Sequence, residues 1–581
     1  MRQADLVLLH PPSVYDFRRQ AILYGPVSDL IPSSPVFEMY PLGFLTITNY
    51  LEARGIKVRI ANLALRMMND RCFDVPSFIS RLKPRAFGID LHWLPHTHGA
   101  LEVAKIVKRC HPGIPVIMGG LSASYFHDEL IRDPHVDFVL RGDAVEEPLE
   151  QLLQQLGKER DFGVIPNLTW KEDGKVHANP MSCIPSDVDY VDLNPLQMVR
   201  MVLRYRDLQS VLPFNGWWQN PITAVFNVKG CLHQCQTCGS SAAASQCTVS
   251  RYQPAFRSPK NMVNNIQAIA RISRGPIFVV GDINQAGADY AAETIALLHE
   301  ARITNEIVFE MFSMPSQDFL PALDAAVKNW SLELSPESHD EIIRSRQDGT
   351  VNFSNAKMEA LIHQALALRC HRVDVFFMIG LAGQTTASVY QTIDYCKRLF
   401  DVTDKRLSCF ISPMGPFLDP GSHAFENPEA SGYRVFARTL EEHRQRLLRP
   451  SWRQILNYET DSMTRDELVE ATYAAAERLN ELKLQFDRID TKRYQAIARR
   501  IVRARELENR LNASEQGQLD PDTFALLQGE INEFSVSTVC DKQELFWRRH
   551  VMNFRWGSIA RQLLFTKKVQ AAERGALVEY S

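Results

Sequence analysis

No apolar run in these 581 residues approaches the roughly 18 residues that a membrane span requires. The opening residues, MRQADLVLLHPP, lack the charged-then-apolar layout of a secretory signal. Both absences make the cytoplasm the expected compartment. Charge of one sign is also missing: a net charge of -3 and a pI near 6.6 give no basic field of the kind nucleic-acid binders carry, so no nucleic-acid partner is expected. Eleven cysteines are too few for a disulfide scaffold in so long a chain, and in a reducing compartment a closely spaced group of them reads as metal ligands. With 45% hydrophobic and 23% charged residues, the composition excludes a disordered or fibrous protein. No short-period repeat is visible.

The chain exceeds one core, since domains run to roughly 100–200 residues. Its first part alternates short apolar runs with amphipathic segments: DLVLLH, PLGFLTITNYLEARG, KVRIAN, AFGID, GALEVAKIVKRC, PVIMGG and DFVLRGD. Such alternation predicts an α/β domain over residues 1–157 with a doubly wound, flavodoxin- or Rossmann-like parallel sheet. Ligands on such sheets sit where the loops leave the carboxyl ends of the strands. Here those loops hold His10, Pro11 and Pro12, then Asp90, His92 and Trp93, then Gly119, Gly120 and Ser122. Paired glycines let backbone approach a bulky ligand, or simply make a tight turn. Over 158–221 the regularity fades into a connection, with a hairpin expected to turn on Asp173 and Gly174 and a Trp-rich stretch through Trp217 and Trp218.

A second series begins at ITAVFNV and continues through PIFVVG, EIVFEMF, WSLELS, VDVFFMIG and RLSCFIS. Six such units predict a partial (β/α)6 barrel over 222–432, with its chemistry at the carboxyl ends of the strands. Residues 433–581 read as a helical domain whose charged stretches form amphipathic faces. Its arginines Arg499, Arg500, Arg503 and Arg505 either line a solvated helix or meet a membrane surface, and so a lipid substrate.

The segment KGCLHQCQTCGSS places Cys231, Cys235 and Cys238 on the loop leaving the first barrel strand. Thiolates suit an iron–sulfur cluster or zinc. A structural zinc normally takes four protein ligands, whereas three cysteines leave one metal position open for a substrate or cofactor. The remaining cysteines, at 72, 110, 183, 247, 370, 396, 409 and 540, are scattered and read as small hydrophobes rather than a second cluster.

This CxxxCxxC segment resembles the radical S-adenosylmethionine (SAM) superfamily, whose three cysteines bind a [4Fe–4S] cluster and whose fourth iron chelates SAM. The resemblance extends to Gly281 and Asp282 at the end of the second strand and to LSPESHDE. It also covers FFMIGLAGQT with Gly380 and Gly383. It implies SAM contacts from Gly281, Asp282, Glu310, Ser335, Glu337, Ser338 and Gly380. Thr237 stands where the family often has an aromatic residue, which implies a cluster less shielded on one side.

Residues 5–156 are similar to the cobalamin-binding domain that precedes the barrel in the large cobalamin-dependent subgroup, notably at VIMGGLSAS and RGDAVEEPLEQLL. Cobalamin contacts are implied for His92, Trp93, Gly119, Gly120, Ser122 and Gly142. The DxHxxG motif by which other cobalamin proteins ligate cobalt is absent after the first strand. The loop from Asp90 to His98 would underlie the corrin, with His92, Trp93, His96 and His98 as cobalt contacts or ordinary loop residues. The segments SPMGPFLDPGSHAFENPEASGY and PSWRQILNYET are similar to one subfamily, in which Pro413, Phe417, Pro420 and Tyr458 either roof the barrel mouth or form a structural cap.

The resemblance implies three cofactors: a [4Fe–4S] cluster, SAM and cobalamin. An external flavodoxin- or ferredoxin-type donor would supply electrons. The expected activity is reductive SAM cleavage to a 5′-deoxyadenosyl radical, with methylation of an unactivated carbon on a small-molecule or lipid substrate. Cyclisation, ring contraction or carbon–carbon coupling without methyl transfer is the alternative enzymatic reading. A zinc-binding interaction protein is the alternative from another class.

Overall fold

The computed structural model describes residues 3–20, 22–23, 36–156, 161–219, 221–347, 353–513, 544 and 553–564. In the first part, apolar runs too short for helices form β1 (Leu6–His10), β2 (Val58–Asn62), β3 (Ala86–Asp90), β4 (Val116–Gly119) and β5 (Phe138–Leu140). These strands are buried on both faces almost throughout, as a parallel sheet covered by helices demands. Their spatial order is β2-β1-β3-β4-β5, all parallel. The order reverses between β1 and β3, and ligands of such sheets bind at that switch point.

The expected hairpin is present as β6 (Leu168–Glu172) and β7 (Lys175–Ala178), turning on Asp173 and Gly174. It does not stand in a free connection, because β6 pairs antiparallel with β5 and extends the sheet to seven strands. Trp170 and Leu168 on β6 are buried in the first core, so the alternation that turned the hairpin also supplied an apolar face for the open sheet edge. Downstream, Met201 and Tyr205 of the helix Leu196–Tyr205 join that same core, whereas Val188, Val191 and Leu193 join the second. The stretch 158–221 therefore stitches two cores together.

The second unit holds β8 (Thr223–Phe226), a short antiparallel ribbon of β9 (Val228–Lys229) and β10 (Ala255–Phe256), then β11 (Ile277–Val280), β12 (Ile307–Met311), β13 (Trp330–Glu337), β14 (Val373–Ile379) and β15 (Leu407–Pro413). Six of these strands run parallel in the order β15-β14-β13-β12-β11-β8. That is the partial barrel the sequence predicts.

After it come β16 (Tyr433–Val435) and β17 (Tyr458–Thr460), which pair antiparallel, and the helices Arg465–Gln485 and Thr491–Ala513. Trp452, Tyr458, Leu468, Tyr473 and Ile497 belong to the barrel's own hydrophobic core, whereas Leu440, Leu447 and Ile455 join the first core, so the tail packs on both units. Its basic stretch is engaged: Arg505 pairs with Glu470, and Arg503 with Glu506. Among the described residues no helix is long and apolar enough to cross a membrane.

Candidate active site: a cavity between two sets of strand ends

The carboxyl ends of both sheets open into one cavity of about 580 Å³. The first sheet contributes Asp90, His92, Gly119 and Gly120, and the barrel contributes Cys231, Cys238, Gly281 and Glu310. From this mouth the cavity continues as a slot along the first sheet, between Gly88 and Ile117 on the strands and Thr46 and Ile47 on the helix Gly43–Ala53.

At the switch point the strand ends are tied by side chains. His10 Nδ1 lies within hydrogen-bond distance of both Asp90 oxygens, at 3.0 and 3.1 Å. The Phe37 carbonyl accepts from His10 Nε2 at 2.9 Å and from His96 Nε2 at 2.8 Å. His98 Nδ1 accepts from the Tyr15 amide at 3.2 Å. Two of the loop's three histidines are thus committed to backbone partners.

The third is held differently. Gly120 has φ +120°, and a Cβ there would lie 2.6 Å from the His92 backbone nitrogen. The Ser122 amide and hydroxyl donate to the His92 carbonyl at 3.2 and 3.1 Å. These contacts fix the His92 backbone while its ring forms part of the cavity wall. Burial lowers its pKa to about 4, so the ring is a neutral imidazole above that pH. Of the other residues expected to touch cobalamin, Gly119, Gly120 and Gly142 line this cavity, and Trp93 and Ser122 line an adjoining one.

On the barrel side, Cys231 and Cys238 line the cavity, and Cys235 lies on the same loop outside its lining. The amides of His233 and Ser240 point at the sulfurs of Cys231 and Cys238, each at 3.4 Å. Burial raises both thiols' pKa, a preference for the neutral form that a bound metal cation would reverse. Among the described residues no group of three His, Cys, Asp or Glu side chains is already arranged around one metal position. The fit to an iron–sulfur cluster therefore rests on donor chemistry: three soft thiols on one loop, with N–H groups directed at two of them. None of the ten described cysteines is in a disulfide; Cys370, Cys396 and Cys409 are buried, while Cys72 and Cys247 are exposed. Cys540 lies outside the described residues.

The expected SAM contacts divide. Gly281 lines the cavity, and its amide donates to Glu310 Oε2 at 2.9 Å. Burial raises Glu310 to about 7. Asp282 is wholly buried and already accepts from the Asn284 amide and side chain, the Phe312 amide and the Ser313 amide and hydroxyl. It ties the loop after β11 to the loop after β12, and of these two acids Glu310 is the one that lines the cavity. Ser335, Glu337, Ser338 and Gly380 lie outside the cavity lining. Glu337 stands at φ +64°, with Oε2 buried and unpartnered and burial raising its pKa to about 7. The turn at Gly380 is held by Gln384, whose Oε1 accepts from the Gly380 and Leu381 amides at 2.9 and 3.0 Å.

The RGDAVEE segment does more than sequence reasoning assigned to it. Asp143 accepts from Arg251 Nε and an Nη at 2.6 and 2.9 Å, which locks the segment after the cysteine loop onto the first domain. Glu146 accepts from Thr46 at 2.7 Å and lies 3.6 Å from Lys229. The acids were visible in the sequence, but Arg251, 108 positions away, carried no local signal. In the tail, Phe417 and Pro420 line the adjoining cavity, whereas Tyr458 is buried against Gly380 and acts as a cap.

Residues 30–153 match the B12 binding domain family. An uncharacterised methyltransferase of Pyrococcus horikoshii is 26% identical over 42% of this chain and 46% of its own length. The anaerobic magnesium-protoporphyrin IX monomethyl ester cyclase of Synechocystis is 22% identical over 43% of this chain and 46% of its own. The chain thus spans about half the length of the curated relatives it matches. Among solved structures, the radical SAM methyltransferase TsrM of Kitasatospora setae, with cobalamin and a [4Fe-4S] cluster bound, superimposes with a TM-score of 0.56 at 16% identity, over 84% of this chain and 90% of TsrM. The cobalamin-dependent SAM radical enzyme OxsB superimposes with a TM-score of 0.53 at 11% identity, over 100% of this chain and 81% of OxsB. The chain therefore carries a B12-binding domain in its first part and has, as a whole, the fold of the cobalamin-dependent radical SAM enzymes.

Proposed function

We propose that this protein is a cobalamin-dependent radical SAM enzyme that methylates an unactivated carbon of a small-molecule substrate. The observation that carries this reading is the single cavity bounded by Cys231 and Cys238 on one side and by His92, Gly119 and Gly120 of the B12-binding domain on the other. When bound, the cluster with SAM supplies a 5′-deoxyadenosyl radical and cobalamin supplies a methyl group.

The chain's own residues bind, orient and seal. Cys231, Cys235 and Cys238 would hold the cluster, and an external flavodoxin- or ferredoxin-type donor would reduce it. The slot past Gly88, Ile117, Thr46 and Ile47 would hold part of a bound cobalamin. Glu310 would accept a hydrogen bond from the amino group of SAM, a role the saturated Asp282 has no free lone pair to fill. The Asp143–Arg251 pair keeps the two strand-end surfaces facing one another across the cavity.

The test is product analysis on anaerobically reconstituted protein with methyl-labelled SAM. Deoxyadenosine together with S-adenosylhomocysteine, and label in a substrate, support methyl transfer. The similarity to a cyclase favours a second reading, radical rearrangement, which predicts deoxyadenosine without S-adenosylhomocysteine. Protein that binds zinc and cleaves no SAM sinks both.

A further inference from the structure

A second chamber of about 390 Å³ adjoins the first cavity, and His92, Leu121, Gly239, Ser240 and Thr248 border both. Its apolar walls come from distant parts of the chain: Phe37 and Met39, then Trp93 and Leu94 after β3, then Pro416 and Phe417 after β15. The volume lies within the range of small-molecule sites, roughly 300–1,000 Å³.

Among these lining residues the one carboxylate is Asp419. Its Oδ2 accepts from the Gly239 amide at 2.9 Å. A Cβ on Gly239 would lie 2.7 Å from Asp419 Cβ, so the close approach requires glycine there. No salt bridge reaches Asp419 from a described residue, and the residue is exposed to solvent. Residues 24–35, which precede this wall in the chain and are not described, contain no Lys, Arg or His.

An accessible carboxylate with one amide partner and no salt bridge from a described residue offers an ammonium that enters the chamber a charge-assisted hydrogen bond. The indole of Trp93 and the ring of Phe37 add faces that attract a cation. Gly239 follows Cys238 directly, so a ligand paired with Asp419 sits beside the cysteine loop. We propose that this chamber is the substrate site and that it takes an organic cation: an amine on an apolar body, with its ammonium paired to Asp419. Naming the occupant a substrate rests on the enzymatic reading above; the charge selectivity does not.

The test compares 2-phenylethylamine with 3-phenylpropionate, which have similar bodies and opposite charges, by calorimetric titration of the full chain with and without cobalamin and iron–sulfur loading. The amine should bind at least about tenfold more tightly, the equivalent of one charge-assisted hydrogen bond. Asp419→Asn keeps an acceptor for Gly239 and should abolish that preference, whereas Asp419→Glu should retain it. Met39→Lys leaves Asp419 in place but adds an internal ammonium to the wall, and should weaken the amine and favour the acid. Equal binding of the two probes, selectivity that survives Asp419→Asn, or amine binding abolished by cobalamin loading overturns the proposal. Amine selectivity in a preparation that cleaves no SAM would retain the site and refute the enzyme.

Discussion

The hydroxyl of Tyr458 lies 2.8 Å from where a Cβ on Gly380 would stand. The last turn of β14 is thus shaped around a side chain that arrives from the tail. Gly380 also has φ +103°, a conformation that costs an L-residue about 1–2 kcal/mol. Adding overlap with a buried tyrosine, Gly380→Ala should destabilise the protein by about 2–4 kcal/mol, read as a shifted urea midpoint. A variant as stable as the parent would show that the Tyr458 contact is not fixed.

Iron content separates the ligand cysteines from the others. Replacing Cys231, Cys235 or Cys238 by Ala should each abolish iron retention after anaerobic reconstitution, because a cluster held by two thiolates is readily lost. Cys247 is exposed and close in sequence, and its Ala variant should keep the parent's iron. Iron retained by any of the three single variants would remove that residue from the ligand set.

Arg251 is almost fully buried and meets Asp143 with two hydrogen bonds. Removing one partner of a buried pair strands the other charge, so Arg251→Ala should cost about 3–5 kcal/mol. Arg251→Lys should recover only part, since an ammonium does not reproduce the fork. The double variant Arg251→Leu with Asp143→Leu should be markedly more stable than Arg251→Ala. If both singles and the double unfold at the same urea concentration, the pair does not tie the domains.

His96 gives stability a pH dependence. Its ring is fully buried, its Nδ1 has no partner, and burial, followed by the neighbouring His10, lowers its pKa to about 4. The unfolded chain takes up a proton near pH 6.5 that the folded chain refuses. Stability from this residue is therefore complete above about 6.5, is lost as pH falls toward 4, and is constant below that, with a total near 3 kcal/mol. His96→Gln lacks this titration, so the stability lead of the parent should shrink across that window. A lead that stays constant from pH 7 to pH 4 rejects the assignment.

Where a residue type and a regular period act together, the sequence was informative. The five parallel strands of the first sheet and the six of the barrel fall on the apolar runs read from it, because burial on both faces leaves few alternatives. The cysteine loop was legible for the same reason, since three thiols in eight residues have little other use. Side-chain commitments were not. Asp282 and Glu310 are both acids near strand ends, and only the geometry reveals that five donors already occupy the first. Asp419 follows an apolar strand by six positions and has no motif of its own. Its importance comes from what surrounds it in space.

His92 belongs to the wall of both cavities, so an occupant of one that fixes the ring in one orientation couples the two. A molecule that needs the ring turned one way in the first cavity alters the volume offered by the second. Linkage then requires the reverse effect to be equal in free energy. Whatever fills the two chambers, the order of filling leaves the total unchanged, but each occupant's apparent affinity reports on the presence of the other.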